Sequence, residues 1–247
     1  MKFVLEEPKI LTESISIISE LVSEANLKID KNGIEIVALD PANVAMVEFK
    51  LFPQAFSEFS SDGEKRIGLN LDQFKQILRR IKPTDKLEVF LDEEKSKLRI
   101  KVLGRTTKNF GLSLVDVEES EQKVPNLNFV TKIETESKII NDAIDDMEVI
   151  SEAVSFIAEK DKLTISSGNN LQDAEVVIKN GGSTKIETKE KTKAKYSLEY
   201  LKKMMKGSKL SEKIILEYSK DYPIKVSYEI GKKLKLGFIL APRIDSE

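Results

Sequence analysis

Hydrophobic positions along the chain follow two different periods. Four segments repeat apolar residues at steps of three and four, the period of an amphipathic helix; they are 9–23, 71–82, 137–150 and 198–206. Between them apolar and polar residues alternate one by one, as in 98–102 and 224–230, which is typical of strands with one buried face. The pattern therefore predicts an α+β fold in which helices cover one side of antiparallel sheets.

This pattern occurs twice. Ser23-Glu24-Ala25, at the end of the first helical segment, recurs as Ser151-Glu152-Ala153 at the end of the third, about half the chain later. Leu71, which opens the second helical segment, has its counterpart in Leu198 at nearly the same spacing. Repetition at one spacing indicates that the two halves share one structural unit.

An acidic segment separates the two halves. Residues 116–128 have no helical or strand period, and Pro125 excludes a central strand. We expect a first domain over 1–115, a connector over 116–128 and a second domain over 129–247. A solvated linker without further duty is one interpretation. A connector that binds partners is the other, because apolar side chains are embedded in it: Val117, Val124 and Leu127.

Composition excludes several classes of chemistry. The 247 residues include 40 Lys and Arg against 42 Asp and Glu, so the formal net charge is −2 and a uniformly basic nucleic-acid binder is excluded. No Cys or His is present, which removes thiolate nucleophiles, imidazole bases and the usual zinc ligands. The chain has no phosphate-binding glycine motif, membrane span or secretory signal. Any catalysis would have to use carboxylates, Lys, Tyr or Ser.

Basic side chains are concentrated on the exposed faces of particular helices. The second helical segment and its following turn carry Lys75, Arg79, Arg80 and Lys82; the fourth carries Lys202, Lys206 and Lys209; the third begins with Lys138. Such groups gain affinity for phosphates by releasing counterions and need no base contact. Trp is absent, so stacking on single strands is poorly supported. The pattern predicts sequence-independent binding of duplex DNA; the simpler interpretation is that these residues only solvate their helices.

Two motifs resemble those of a known family. They are Leu39-Asp40-Pro41-Ala42-Asn43-Val44-Ala45-Met46-Val47 and Leu240-Ala241-Pro242-Arg243-Ile244. Together with the twofold repeat, they are similar to DNA sliding clamps of the proliferating cell nuclear antigen family, of the archaeal kind, over essentially all of 1–247. The resemblance implies a homotrimeric ring with helices lining the hole and sheets outside. It also implies a processivity factor without catalysis, and we accordingly expect no catalytic residue, metal or cofactor.

The resemblance further implies partners and a location. A clamp of this family encircles duplex DNA in replication and repair, and tethers the replicative polymerase, flap endonuclease and ligase through short peptide motifs. A clamp loader places it on DNA. We accordingly expect a cytoplasmic, nucleoid-associated protein with no membrane contact.

Binding residues follow from matching positions. The peptide pocket implied by the resemblance comprises Leu39, Val44, Met46, Leu127, Pro223, Ile239, Ala241 and Pro242. The family often has His where this chain has Asn43, which puts a His-mediated peptide contact in doubt. Ring closure would pair strand 109–116 with strand 173–179 of the next chain. The implied interface residues are Phe110, Leu112, Leu114, Ala174, Val176 and Ile178.

The third helix departs from the family pattern. Asp142 and Asp145 stand where the family commonly places Arg. A negative charge repels phosphate, so we expect DNA to be held against the second and fourth helices.

Two alternative functions remain open. One is a subunit of a heterotrimeric or checkpoint-type clamp. The other is a Mg²⁺-dependent hydrolase built on carboxylates, with either Asp142, Asp145 and Asp146 or Asp92, Glu93 and Glu94.

Overall fold

A computed structural model describes residues 1–117 and 122–244 of the chain. Residues 118–121 of the expected connector and residues 245–247 of the expected second domain lie outside the described residues. Two compact units are present. Unit 1 comprises Met1–Pro41, Val47–Val124 and Ile230–Leu236, and unit 2 comprises Ala42–Met46, Pro125–Glu229 and Gly237–Glu247.

All four predicted helices are present, and each is shorter than its hydrophobic pattern. They are α1 (Lys9–Ile18), α2 (Leu71–Leu78), α3 (Ser137–Glu148) and α4 (Leu198–Met205), with two 3-10 helices at Pro53–Ala55 and Lys206–Lys209. The largest difference is at α1, because its last turns tighten. Glu20 N–H donates to Ile17 O and Leu21 N–H donates to Ile18 O, which are three-residue steps. The apolar period thus continues through a turn that is no longer α-helical.

The strands of the first half are short and antiparallel. They are β1 (Lys2–Leu5), β2 (Glu24–Asp30), β3 (Gly33–Leu39), β4 (Ala45–Leu51), β5 (Glu58–Ser60), β6 (Lys65–Asn70), β7 (Lys86–Asp92), β8 (Lys97–Leu103) and β9 (Thr107–Ser113). One sheet has the order β5-β1-β7-β8-β9, and β4-β3-β2-β6 are neighbours in another. The order leaves β9 at the edge of its sheet among the described residues.

The second half repeats this arrangement. Its strands are β10 (Thr131–Glu136), β11 (Ala153–Ala158), β12 (Lys162–Gly168), β13 (Asp173–Lys179), β14 (Lys185–Thr188), β15 (Thr192–Ser197), β16 (Lys213–Tyr218), β17 (Ile224–Ile230) and β18 (Leu234–Leu240). One sheet has the order β13-β12-β11-β15, and β14-β10-β16-β17-β18 are neighbours in another. Among the described residues β13 is an edge strand, as β9 is.

Each unit buries its helices in a core shared with its sheets. In unit 1, Leu11, Ile15 and Ile18 of α1 are buried, and α1 packs against α2. In unit 2, α3 packs against α4, and aromatic rings meet edge to face at centroid distances of 5.9 to 6.5 Å in the cluster Phe156, Tyr196 and Tyr218. These helix pairs leave one face of each helix available for charged side chains.

Gly207 allows the turn after α4 to approach the core. A Cβ atom at this position would lie 2.2 Å from Cε2 of Tyr228, and that ring is fully buried. A ring enclosed by packed neighbours cannot move aside without strain. Only a residue without a side chain fits here.

We predict that Gly207→Ala lowers the free energy of unfolding by about 1–3 kcal/mol, the usual cost of overpacking. Chemical denaturation measures this change. Gly168→Ala is the matched control, because its Cβ would meet Asp173 Cβ at an ordinary 3.4 Å; we expect a change within about 0.5 kcal/mol. Equal unfolding midpoints for the two variants would contradict the prediction.

Candidate functional sites

The end of α2 presents basic groups to solvent. Asn70 caps the helix, its side chain accepting a hydrogen bond from Gln73 N–H at 2.9 Å, and Phe74 and Leu78 are buried. With that face fixed on the core, Arg79, Arg80 and Lys82 are exposed. None of these three forms an ion pair with another described residue. Their charges are therefore available to an anion.

Lys75 differs from the other predicted DNA contacts. Its Nζ donates to Glu20 Oε1 at 3.2 Å, and its side chain is only 13% exposed. The prediction that Lys75 belongs to the solvent-facing basic group is wrong, because the turn after α1 carries Glu20 to it. Glu20 and Lys75 are far apart in the sequence, so the hydrophobic pattern of α2 alone cannot reveal this ion pair.

The basic residues of unit 2 differ from one another in exposure. Lys202 is half-buried and forms an ion pair with Glu148 at the end of α3. Lys206 and Lys209 lie exposed in the 3-10 helix that follows α4. The C-terminal ends of α2 and α4 thus carry basic groups at equivalent places of the repeat.

Helix α3 places both signs of charge on its exposed side. Lys138, Asp142, Asp145 and Asp146 are exposed, and none of the three aspartates forms an ion pair with another described residue. The helix is held to its neighbour by Asn141, whose Nδ2 donates to Ser208 Oγ at 2.9 Å. The negative groups of α3 therefore stand on a fixed surface rather than in a loop.

Most of the predicted peptide pocket lies in unit 2. Asn43 has a φ of 56°, a left-handed conformation that asparagine tolerates better than most residues. Ala241 N–H donates to Val44 O at 3.0 Å, which holds the two motifs side by side. Ile239 and Met46 are buried, at 7% and 8% exposure. The half-buried members are Val44, Leu127, Pro223, Ala241 and Pro242.

Leu39 lies in unit 1, at the end of β3. Its side chain is half-buried, and its N–H donates to Gln122 Oε1 at 2.6 Å. The described part of the connector is therefore attached to the strand that precedes the central loop. Asn26 makes a second attachment, with Nδ2 donating to Val117 O at 3.3 Å.

A groove adjoins the predicted pocket within unit 2. Its volume is about 1030 Å³, and its wall includes Val44, Ala241 and Pro242 together with 148–152 and 197–200. Sequence reasoning missed the last two segments. The sequence shows only that the apolar residue Val149 directly follows α3, whereas its 76% exposure is visible in the structure alone.

The two predicted interface strands are both sheet edges among the described residues. Strand β13 covers Asp173–Lys179, as expected. Strand β9 covers Thr107–Ser113 rather than 109–116, since Val115 N–H turns to donate to Gly68 O at 3.0 Å. Leu114 is therefore outside the strand. Leu112 and Ile178 are 3% and 8% exposed, so they pack inside their own units. The half-buried residues are Phe110, Leu114, Ala174 and Val176.

The carboxylates considered for a hydrolase are engaged elsewhere or isolated. Arg99 bonds to Asp92 at 2.8 Å and holds the pKa of that carboxyl below its usual value, and Lys65 does the same to the pKa of Glu93. Across residues 1–117 and 122–244, no three acidic side chains come together in a group that could hold a metal ion.

In the same residues, no helix has the length and apolar character to cross a membrane.

Two α+β units with one internal repeat, paired helices and antiparallel sheets define a two-domain clamp fold. The chain belongs to the proliferating cell nuclear antigen family: its N-terminal domain model matches residues 1–123 and its C-terminal domain model matches residues 123–243. This membership identifies a DNA sliding clamp, a processivity factor without catalysis of its own, and confirms the predicted family, fold class and non-enzymatic role.

Individual relatives agree with this family. The chain is 34% identical to the DNA polymerase sliding clamp of Nanoarchaeum equitans, with 99% of this chain and 100% of that protein covered. It is 32% identical to the DNA polymerase sliding clamp of Pyrococcus abyssi, with 99% and 98% covered. A crystal structure of PCNA from Thermococcus kodakaraensis has the same fold, with a TM-score of 0.92 at 23% identity over 98% of this chain and 99% of that one.

Proposed function

We propose that this clamp closes as a homotrimer around duplex DNA and holds the phosphates mainly with the ends of α2 and α4. The observation that carries the proposal is the exposed basic group at equivalent places of the repeat: Arg79, Arg80 and Lys82 in one unit, Lys206 and Lys209 in the other. Lysine and arginine bind phosphates without reading sequence. A ring that encloses its DNA needs only a few such contacts, because topology prevents escape.

The aspartates of α3 determine which helices lie nearer the DNA. Asp142 and Asp145 are exposed and repel phosphate, whereas Lys138 on the same helix attracts it. DNA is therefore held asymmetrically, nearer α2 and α4 than α3. Lys75 and Lys202 contribute less, because Glu20 and Glu148 already neutralise them.

We predict that Arg79→Ala and Lys206→Ala each flatten the dependence of log affinity on log salt by about 0.9, the slope that one bound phosphate contributes. Binding to short linear duplexes over a salt series measures the slope. Lys75→Ala is the matched control and leaves the slope near that of the unaltered protein.

The double variant Asp142→Arg with Asp145→Arg steepens the same salt dependence and slows sliding of the clamp along DNA. Unchanged slopes in both the alanine variants and the arginine variant would remove these helices from the DNA contact.

Homotrimer closure is supported by two open strands. Both β9 and β13 are edges of their sheets, and unpaired edges expose backbone donors and acceptors that another strand can satisfy. Pairing β9 of one chain with β13 of the next is a heterologous contact, which a threefold rotation closes. Phe110 and Val176 are half-buried at these edges, so a neighbouring strand would complete their burial.

We predict that Phe110→Asp with Val176→Asp converts the protein from a species of three times 27.9 kDa to a monomer, as measured by light scattering after size exclusion. Leu112 and Ile178 are unsuitable for this test because charges there would disrupt their own units. Leu171→Asp, at a side chain that is 95% exposed, is the control and keeps the trimer mass. A monomeric unaltered protein would instead support the heterotrimeric or checkpoint-type clamp.

The peptide site is supported by an apolar surface formed by distant segments. Val44, Ala241 and Pro242 are brought together by the Ala241 to Val44 backbone bond, and Leu127 and Pro223 are half-buried apolar residues of the same unit. Concave apolar surface of this kind anchors aromatic side chains. Replicative polymerase, flap endonuclease, ligase and clamp loader are the proposed partners, in a cytoplasmic, nucleoid-associated setting. We also propose that residues 116–128 connect a first domain, 1–115, to a second domain, 129–247.

We predict that Val44→Glu weakens binding of a consensus clamp-binding peptide, one with Gln, aliphatic and paired aromatic side chains, by about 1–4 kcal/mol. The cause is a charge placed against the apolar anchors. Isothermal calorimetry measures the affinity, and Leu171→Glu serves as an exposed control outside the site. If both variants bind as tightly as the unaltered protein, the peptide site is elsewhere.

A further inference from the structure

We propose that two ion pairs across the junction of β9 with β13 hold neighbouring chains in one register. Asp173 of the next chain pairs with Arg99. Glu175 of the next chain pairs with Lys101. The inference rests on the proposed homotrimer and names the charged contacts that align its strands. It is carried by a recess beside β9 whose cations match two exposed carboxylates of β13 in spacing and in sign.

The recess places two cations close to the open edge of the first sheet. Its volume is about 270 Å³, and its lining includes Arg99 and Lys101 of β8. In the ladder of β8 with β9, Arg99 lies opposite Gly111, and Lys101 lies opposite Asn109. Each cation is therefore separated from the edge by a single uncharged residue that is short or has no side chain.

Gly111 allows the guanidinium group of Arg99 to extend over the edge strand. A Cβ atom at position 111 would lie 3.0 Å from Arg99 Nη1. Arg99 Nε and Nη2 donate to Asp92 Oδ2 at 2.9 and 2.8 Å, which fixes the plane of the group. The third nitrogen, Nη1, thus lies over β9 in a defined orientation, where a carboxylate from a neighbouring strand can reach it.

The charge of Lys101 is also available at this edge. Lys101 is half-buried, and it forms no ion pair with a residue in 1–117 or 122–244. Glu88 lies opposite it on β7, but Lys2 Nζ is 3.3 Å from Glu88 Oε1. Because that carboxylate already has a cationic partner, Lys101 can pair with a carboxylate of another chain.

Strand β13 presents the complementary charges. Asp173 and Glu175 are exposed, and neither forms an ion pair within the part of the chain that the structure describes. Their neighbours on β12 are Gly168 and Ser166, which carry no charge. Residues two apart in a strand point to the same face, so the two carboxylates have the spacing of the two cations on β8. Opposite charges on neighbouring strands favour pairing, and like charges oppose it.

One antiparallel register satisfies both pairs and also places the apolar residue that follows them. In this register Val177, which is 45% exposed, falls opposite Thr107, and Thr107 lies beside the half-buried Leu103 of β8. A shift by two residues in one direction would move Val177 into the row of Lys101. A shift by two residues in the other direction would leave Arg99 without a carboxylate. The pattern of charges therefore selects one alignment.

Charge reversal at the second pair tests the inference, because Arg99 also holds Asp92. The variants are Lys101→Glu, Glu175→Lys and the double variant with both changes, which keeps the composition and the net charge of the unaltered chain. Light scattering over a dilution series at low salt measures dissociation of the trimer. We expect each single variant to weaken a junction about two- to fivefold, the range of an exposed ion pair. The double variant regains the stability of the unaltered trimer.

Because a ring has three junctions, the single variants weaken the whole trimer about tenfold to a hundredfold. Lys97→Glu is the matched control, since Lys97 is a half-buried lysine on the same face of β8 and does not line the recess; it leaves the trimer near its unaltered stability. A trimer that is indifferent to both single variants, or one that Lys97→Glu weakens more than Lys101→Glu does, would overturn the inference while the homotrimer stands.

Mixing the double variant with the unaltered clamp gives a second measurement. Every mixed ring contains one junction that brings two acidic groups together and one that brings two basic groups together. We expect mixed rings to be depleted about four- to twenty-five-fold relative to random assembly, as measured by native mass spectrometry with one chain isotope-labelled. Random mixing would overturn the inference alone, whereas an unaltered protein that is monomeric would overturn the homotrimer and the inference together.

Discussion

Burial of one face of every helix against its neighbours is the constraint on which the rest of the structure depends. In α2, Leu71, Phe74 and Leu78 occupy the core, so the residues after the helix project away from it. In α4, Leu201, Met204 and Met205 do the same. Because the packing is repeated, basic groups appear at equivalent places in both units. A protein of nearly neutral charge thereby gains a surface suited to phosphate.

The same packing determines which residues of the edge strands are already buried within their own unit. Strands β9 and β13 are the last strands of their sheets, and their inner residues Leu112 and Ile178 are already buried without a partner chain. Each unit therefore has its own core, and the proposed assembly would cover the open edges and their half-buried side chains. This separation explains why an interface variant must avoid the residues that hold a unit together.

Some of the charges near the proposed contacts are neutralised by ion pairs and others are not. Glu20 neutralises Lys75 and Glu148 neutralises Lys202, while Asp142 and Asp145 remain unpaired within the described residues. Exposed charges are those that the surroundings of the protein can engage. In the proposed complex, DNA phosphates contact the exposed basic groups at the ends of α2 and α4.

Helix and strand types, the repeat, the family and most of the basic groups were predictable from the sequence, because they depend on local periodicity and on motifs of adjacent residues. Only the tertiary structure showed that Lys75 pairs with Glu20, that Leu112 is enclosed within its own unit, and that Val149 and Glu152 form a wall beside Val44 and Pro242. Each of these facts depends on segments far apart in the chain. Pattern along one segment determines which face is apolar, whereas the partner that covers that face is determined by how distant segments pack.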